Sequence, residues 1–360
     1  MTATLTAKQN PLLPLCSLLI AMVMTSPQEA FPQPIMDAVK KEDVDAVRDI
    51  LKRQPDEVNH RDAEGFTPLH HAVRSTQIGM TRYLLDHDAN PSAVANNGMT
   101  PLHLVSHSEI ARLLTRYDIP LNAQDTAGAT PFHYIAERGR PGLAEVLYEK
   151  LAKLEIRDHN GMTPLLRAAR SGTAAMVGWF IERGAGLGAK DNAGHTALHW
   201  AAANTPQAVQ QVADKGFNPN ERDNLGRTAL HYARNDSVVQ ILVAHNATVN
   251  VADLNGATPL HTAASAGLTT AVTGLATAGA TINAADAAGR TPLHYAVATG
   301  FEAVCRELLR LKADPSIKAN DGLSAADLAQ SSKNSAIKKL FPAASKGGTS
   351  KGSKGKGKKK

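Results

Sequence analysis

The sequence predicts an all-α repeat solenoid of about ten helix-turn-helix units with β-turn fingers, and three observations predict it. First, the phrase Gly-x-Thr-Pro-Leu-His, or a near copy, recurs with its threonine at Thr67, Thr100, Thr130, Thr163, Thr196, Thr228, Thr258 and Thr291, at intervals of 30 to 33 residues, and once more with Ser324 in that place. A multi-residue phrase repeating in register marks stacked supersecondary units. Second, a chain of 360 residues that is 43% apolar but only 4% aromatic has few large rings with which to anchor several conventional cores, so stacking must bury Ala and Leu instead. Third, the ends of the array depart from its middle, as a solenoid requires where its last apolar faces would meet water.

In chain order, residues 1–32 read as a disordered or apolar leader. Pro11 to Met24 is apolar apart from Ser17, yet these 14 residues are short for a membrane span. One preceding lysine, Lys8, prolines at Pro11 and Pro14, and the lack of a clear cleavage site argue against a secretion signal. The bland alternative is an upstream extension with initiation at Met24. The repeat array is expected over 33–341, with an N-terminal cap in 33–66, where Pro34 to Leu51 keeps the two-helix spacing but lacks the repeated phrase and is highly charged. Ser324 to Phe341 closes the other end. Residues 342–360 form a disordered Lys/Gly-rich tail, with no apolar residue after Ala344.

Each repeat explains its own residues. The threonine can cap the first helix with its hydroxyl, and the proline after it takes the first helical position, where a missing N–H costs nothing. Ala pairs such as Ala201-Ala202 keep that helix thin, while Leu198 and its equivalents fill the seam between units. The glycines of the Asp-x-x-Gly turns sit at finger tips, where a left-handed backbone is needed. Two units, Thr100 to Ala129 and Thr228 to Ala257, have only 30 residues and lose the turn sequence between their helices, so a tighter link between the helices of each pair is expected.

This pattern resembles the ankyrin-repeat family over about residues 33–341. The resemblance implies that the histidine of the repeated phrase, present at His70, His103, His133, His199, His231, His261 and His294, hydrogen-bonds the framework of the adjacent repeat. It also implies that the residue after that histidine faces the concave side. That column reads His71, Leu104, Tyr134, Arg167, Trp200, Tyr232, Thr262 and Tyr295, and it holds four of the chain's aromatic residues. Tyr, Trp and Arg suit an interface because they combine area with polar heads; packing as framework is the competing reading. The fingers of the C-terminal half add His195, Arg227 and Arg290 as a polar, cationic rim.

Catalytic chemistry finds little support. There is no nucleophile elbow, P-loop or HExxH, and the finger carboxylates recur once per repeat, too far apart for a close acid–base pair. Half of the 14 histidines occupy the repeated slot. His103 and His107 have helical spacing but lack a Cys or carboxylate ligand beside them. Cys305 falls on an apolar helix position, as a buried inert thiol would. We therefore expect no catalytic residues, cofactor or metal, and a cytoplasmic or nuclear monomer.

Binding remains, with Tyr134, Arg167, Trp200, Tyr232, Tyr295, His195, Arg227 and Arg290 as candidate partner contacts for a protein of unknown identity. The net charge of +6 becomes −1 without Lys346, Lys351, Lys354, Lys356, Lys358, Lys359 and Lys360. The basicity therefore belongs to the tail, which could hold an acidic partner, nucleic acid or an anionic membrane, or serve only for solubility. Two functions are consistent with this: a non-enzymatic scaffold or adaptor using fingers and concave face, and a nucleic-acid- or chromatin-associated factor using its tail. Salt separates them, because tail-driven nucleic-acid binding collapses steeply as ionic strength rises.

Overall fold

Stacking is visible unit by unit in the computed structural model, which describes residues 34–341. Ten helix pairs follow one another, from Pro34–Lys40 with Val44–Arg53 to Ala325–Ser331 with Ser335–Leu340. No strand occurs among the described residues, and Lys318 and Ser324 form an isolated antiparallel bridge. First helices pack on first helices of the next unit and second helices on second helices. A continuous core of Leu, Ala, Val and Ile results, including Leu69, Leu102, Leu165, Leu198, Leu230, Leu260 and Leu293. The leader with Cys16, and the basic tail, lie outside the described residues.

The helix starts are more elaborate than a lone threonine cap. The Thr67 N–H donates to Nδ1 of His70 at 3.1 Å, and the Thr67 hydroxyl lies 2.9 Å from the same nitrogen. That leaves Nε2 to carry the proton, which it donates to the Met99 carbonyl of the next unit at 3.2 Å. All seven slot histidines make this contact to the next unit. At Thr163, where Leu166 replaces the histidine, the hydroxyl alone accepts the Leu166 N–H at 3.4 Å.

The two short units do not have tighter links. Val105–His107 and Ala233–Asn235 are three residues long, the same as Ser75–Gln77 in a full-length unit. The missing residues come out of the first helices, which shrink to the single turn Pro101–Leu104 and the 3₁₀ turn Ala229–Tyr232. Shortening frees carbonyls, and neighbours take them: Arg138 donates to the Val105 carbonyl at 2.9 Å, Arg140 to that of Ser106, and Thr262 to that of His231 at 3.0 Å.

The turns after seven of the second helices hold a left-handed residue: Gly184, Gly216 and Gly279 in three units, Asp88, Asn246 and Lys312 in three more, and Leu151 in another, at φ 65°. Leu151 is 86% exposed, so no burial offsets the strain of its Cβ against the carbonyl. Leu151→Gly is expected to raise stability by about 0.5–1 kcal/mol, the relief of strain exceeding the extra entropy of the unfolded glycine. Urea denaturation checks it, and a loss of stability would contradict it.

Candidate functional site

The fingers are braced by their aspartates. In six of the fingers the Oδ1 of an aspartate accepts backbone N–H groups two and four residues on; for Asp125 these are Ala127 at 2.8 Å and Ala129 at 2.9 Å. Adjacent tips then join by backbone, as in the 2.9 Å bond from Thr126 N–H to the Asn97 carbonyl. Gly98 shows why the tip must be glycine: its φ is +80°, and a Cβ would lie 2.8 Å from Asp125 Cα and Thr126 N of the next finger.

The second carboxylate oxygen reaches a residue nine positions later, on the first helix. Tyr134 O–H donates to Asp125 at 2.5 Å, Arg167 to Asp158 through Nε at 3.0 Å and Nη2 at 2.8 Å, and Trp200 Nε1–H to Asp191 at 3.0 Å. Tyr232 and Tyr295 donate to Asp223 and Asp286, each at 2.6 Å. Burial opposes the charge on Asp125, Asp223 and Asp286, but the tyrosine and backbone donors outweigh it and hold these carboxyls below their usual range. The same pairing raises the tyrosines, Tyr232 and Tyr295 to about 12, with burial the larger cause and the carboxylate next.

The eight candidate residues therefore gather into three groups along the finger face. In the first, Arg167 and Arg138 each place a guanidinium 5.7 Å from the Tyr134 ring centre. Arg167 is only 8% exposed and spends its fork on Asp158, so it sets the position of its neighbours and offers little surface itself. In the second, His195 lies 4.9 Å from the Trp200 ring, its Nδ1 is 3.2 Å from Asp191, and its Nε2 is 3.1 Å from Tyr232 Oη. Arg227, from the next finger, donates to Asp253 at 3.1 Å. In the third, Arg290 lies 5.0 Å from the Tyr295 ring and donates to Asp286 at 3.3 Å. The rings of Tyr134, Trp200, Tyr232 and Tyr295 stay half-buried.

The nine-residue pairing escaped the sequence reading although both columns were noted. The signal was there: the two fingers that lack the aspartate, at Ala95 and Ala319, have leucine nine residues on, Leu104 and Leu328. In those two units position and tether vary together, whereas Asp253 has Thr262 nine residues on and receives Arg227 instead. Also missed was Trp179, buried on a second helix, where it donates to Glu145 at 2.9 Å beneath the Arg183 guanidinium. Cys305 is buried and its thiol is pushed up to about 11. Among the described residues no group of three or more His, Cys, Asp or Glu is placed to hold a metal, and no helix is long and apolar enough to cross a membrane.

A family model for ankyrin repeats, three copies to a match, fits residues 35–125, 106–191, 165–253, 198–286 and 233–321. Human neurogenic locus notch homolog protein 1 is 32% identical over 181 residues, covering 45% of this chain and 7% of that protein. Its Danio rerio counterpart is 31% identical over 182 residues, 45% of this chain and 8% of that protein. Human neurogenic locus notch homolog protein 2 is 34% identical over 126 residues, 34% of this chain and 5% of its own. The similarity thus spans less than a tenth of those relatives' length. Among solved structures, the human ASB11 ankyrin repeat domain superposes with a TM-score of 0.54 at 23% identity, covering 60% of this chain and 98% of that one, a likeness of fold alone.

Proposed function

The chain belongs to the ankyrin-repeat family, whose arrays generally mediate protein–protein interaction, and on that premise we propose that it is a non-enzymatic scaffold or adaptor that captures a protein partner on its fingers and first helices. The observation that carries this is Trp200. Its indole is held in one orientation by Asp191, flanked by His195, half-buried and near the middle of the array. A rigid aromatic with its polar head already satisfied loses little entropy on binding and presents only apolar area, which is how central interface residues supply most of an affinity.

Trp200→Ala is expected to weaken capture of the partner roughly thirtyfold, the effect of about 2 kcal/mol at an interface centre, while Asp45→Ala on the cap does little. Affinity capture with the full chain reads this, with thermal denaturation alongside. Trp200→Phe separates ring from tether, since it keeps the apolar area and loses the N–H to Asp191. If Trp200→Ala drops the melting temperature by several degrees while its surviving folded fraction still binds, the column is framework and the proposal fails.

A further inference from the structure

The first helices and the second helices of this array differ in charge. Across the eight units between the caps, the first helices and the links that follow them carry six arginines, Arg74, Arg138, Arg140, Arg167, Arg170 and Arg234, no lysine, and one acid, Glu137. The second helices of the same units carry four arginines and six acids. Four of the six arginines fall in two consecutive units, around Tyr134. There Arg138 and Arg140 are exposed and donate to neutral carbonyls, of Val105 and Ser106, which leaves their charge uncompensated. Arg170 has 39% of its side chain exposed and shares Glu137, at 3.8 Å, with the buried Arg167, at 3.5 Å.

The finger aspartates do not cancel this patch. Asp125 and Asp158, the two in these units, are buried in the fingers that precede the first helices, where Asp125 accepts from backbone N–H groups and Tyr134 and Asp158 from backbone N–H groups and Arg167, whereas Arg138, Arg140 and Arg170 stand at the helix ends. A seven-residue helix is about 10 Å long, which equals the screening length at ordinary salt. Nor is a charge required to cover the carbonyls freed in a short unit, since after the other one Thr262 does so with a hydroxyl, and the units of Ala197–Ala202, Pro259–Ser265 and Pro292–Thr299 end on Ala, Ser and Thr. All six cations are the planar, weakly hydrated type that grips carboxylates with a two-pronged fork.

From this we infer that the segment bound on this face is an extended, acidic stretch of a protein, whose carboxylates lie on Arg138, Arg140 and Arg170 beside the Tyr134 ring. A nucleic acid fits less well. The three arginines left free by the Arg167–Asp158 pair, offset in part by Glu137, offer fewer cations than duplex binding uses. The inference rests on the reading that a protein occupies the finger face, and adds what kind of segment it is.

The test is fluorescence anisotropy with the full chain, its seven tail lysines replaced by glutamine so that the tail cannot compete. The probes are a labelled peptide alternating Glu with Leu, its Gln-for-Glu counterpart, and single-stranded DNA of equal charge. The acidic peptide should bind about tenfold or more tighter than the amide peptide at low salt, and the gap should narrow as salt rises. Arg140→Glu with Arg170→Glu should remove that preference. Glu137→Gln, at an exposed site whose recorded ion pairs are with Arg167 and Arg170, should instead tighten binding severalfold, a gain that no folding defect produces. Equal binding of the two peptides, both weakened by Trp200→Ala, would overturn the acidic inference and leave the finger-face reading standing. Insensitivity to all of these substitutions, absence of binding, or tighter DNA binding lost through the same arginines would overturn the inference outright.

Discussion

Acidification from pH 7 to pH 5 is expected to destabilise the array by about 2 kcal/mol for each of His70, His133 and His231. Each imidazole is buried, and burial pushes its pKa from 6.5 to about 4 in the folded state, only partly offset by the hydrogen bond to the next unit's carbonyl. The geometry explains the direction. Nδ1 must accept the threonine N–H, so a proton added there would face a donor at 3.0–3.1 Å. Because the folded pKa lies below the unfolded one, the unfolded chain binds more protons between about pH 6.5 and pH 4. Stability is intact above that window and is lost as pH falls through it. The three residues sit in different units, so their effects should add. Below pH 4 a second loss begins, as the depressed carboxyls of Asp125, Asp223 and Asp286 take up protons. Urea midpoints at pH 7, 6 and 5 measure the first phase; a flat profile across that range would mean the histidines are not held neutral.

The repeated phrase was enough to place the architecture, because its residues do local work: Pro68 and Gly65 each satisfy a backbone requirement visible in two or three positions. Contacts that cross from one unit to the next were harder to read. Asp191 and Trp200 look unrelated in one repeat, since nothing in local spacing says that a finger folds back onto its own helix. Only comparison between units, with Ala95 and Leu104 changing together, exposes the link. The short units misled for a similar reason. A three-residue deletion can come out of a loop or a helix, and here the short units keep three-residue links while the helix gave way and Arg138 and Arg140 covered the exposed carbonyls. The arginine bias of the first helices and their links went unnoticed because it emerges only once first and second helices are separated, a partition that mean composition conceals.

Replacing Leu198 by Asp should split unfolding into two transitions. Leu198 is 1% exposed in the first helix Ala197–Ala202, which packs between Pro164–Arg170 on one side and Ala229–Tyr232 on the other. An unpaired carboxylate there costs several kcal/mol, because it loses its water and gains no donor. In a protein with one shared core such a loss would lower the whole melting curve. Here each unit touches only its neighbours, so the damage falls on two interfaces and the flanking units keep their own contacts. The neighbour on the C-terminal side is the unit already reduced to a 3₁₀ turn, so it has little stability with which to bridge the gap. Units before Thr196 and units after Thr258 should therefore unfold separately in urea, with amide exchange accelerated first in Ala197–Ala244. Leu198→Ala, which leaves a cavity without a charge, should shift the transition by about 2–5 kcal/mol and broaden it less. A single, unshifted transition in Leu198→Asp would show that coupling runs through the array as a whole, and the nearest-neighbour account would have to be abandoned.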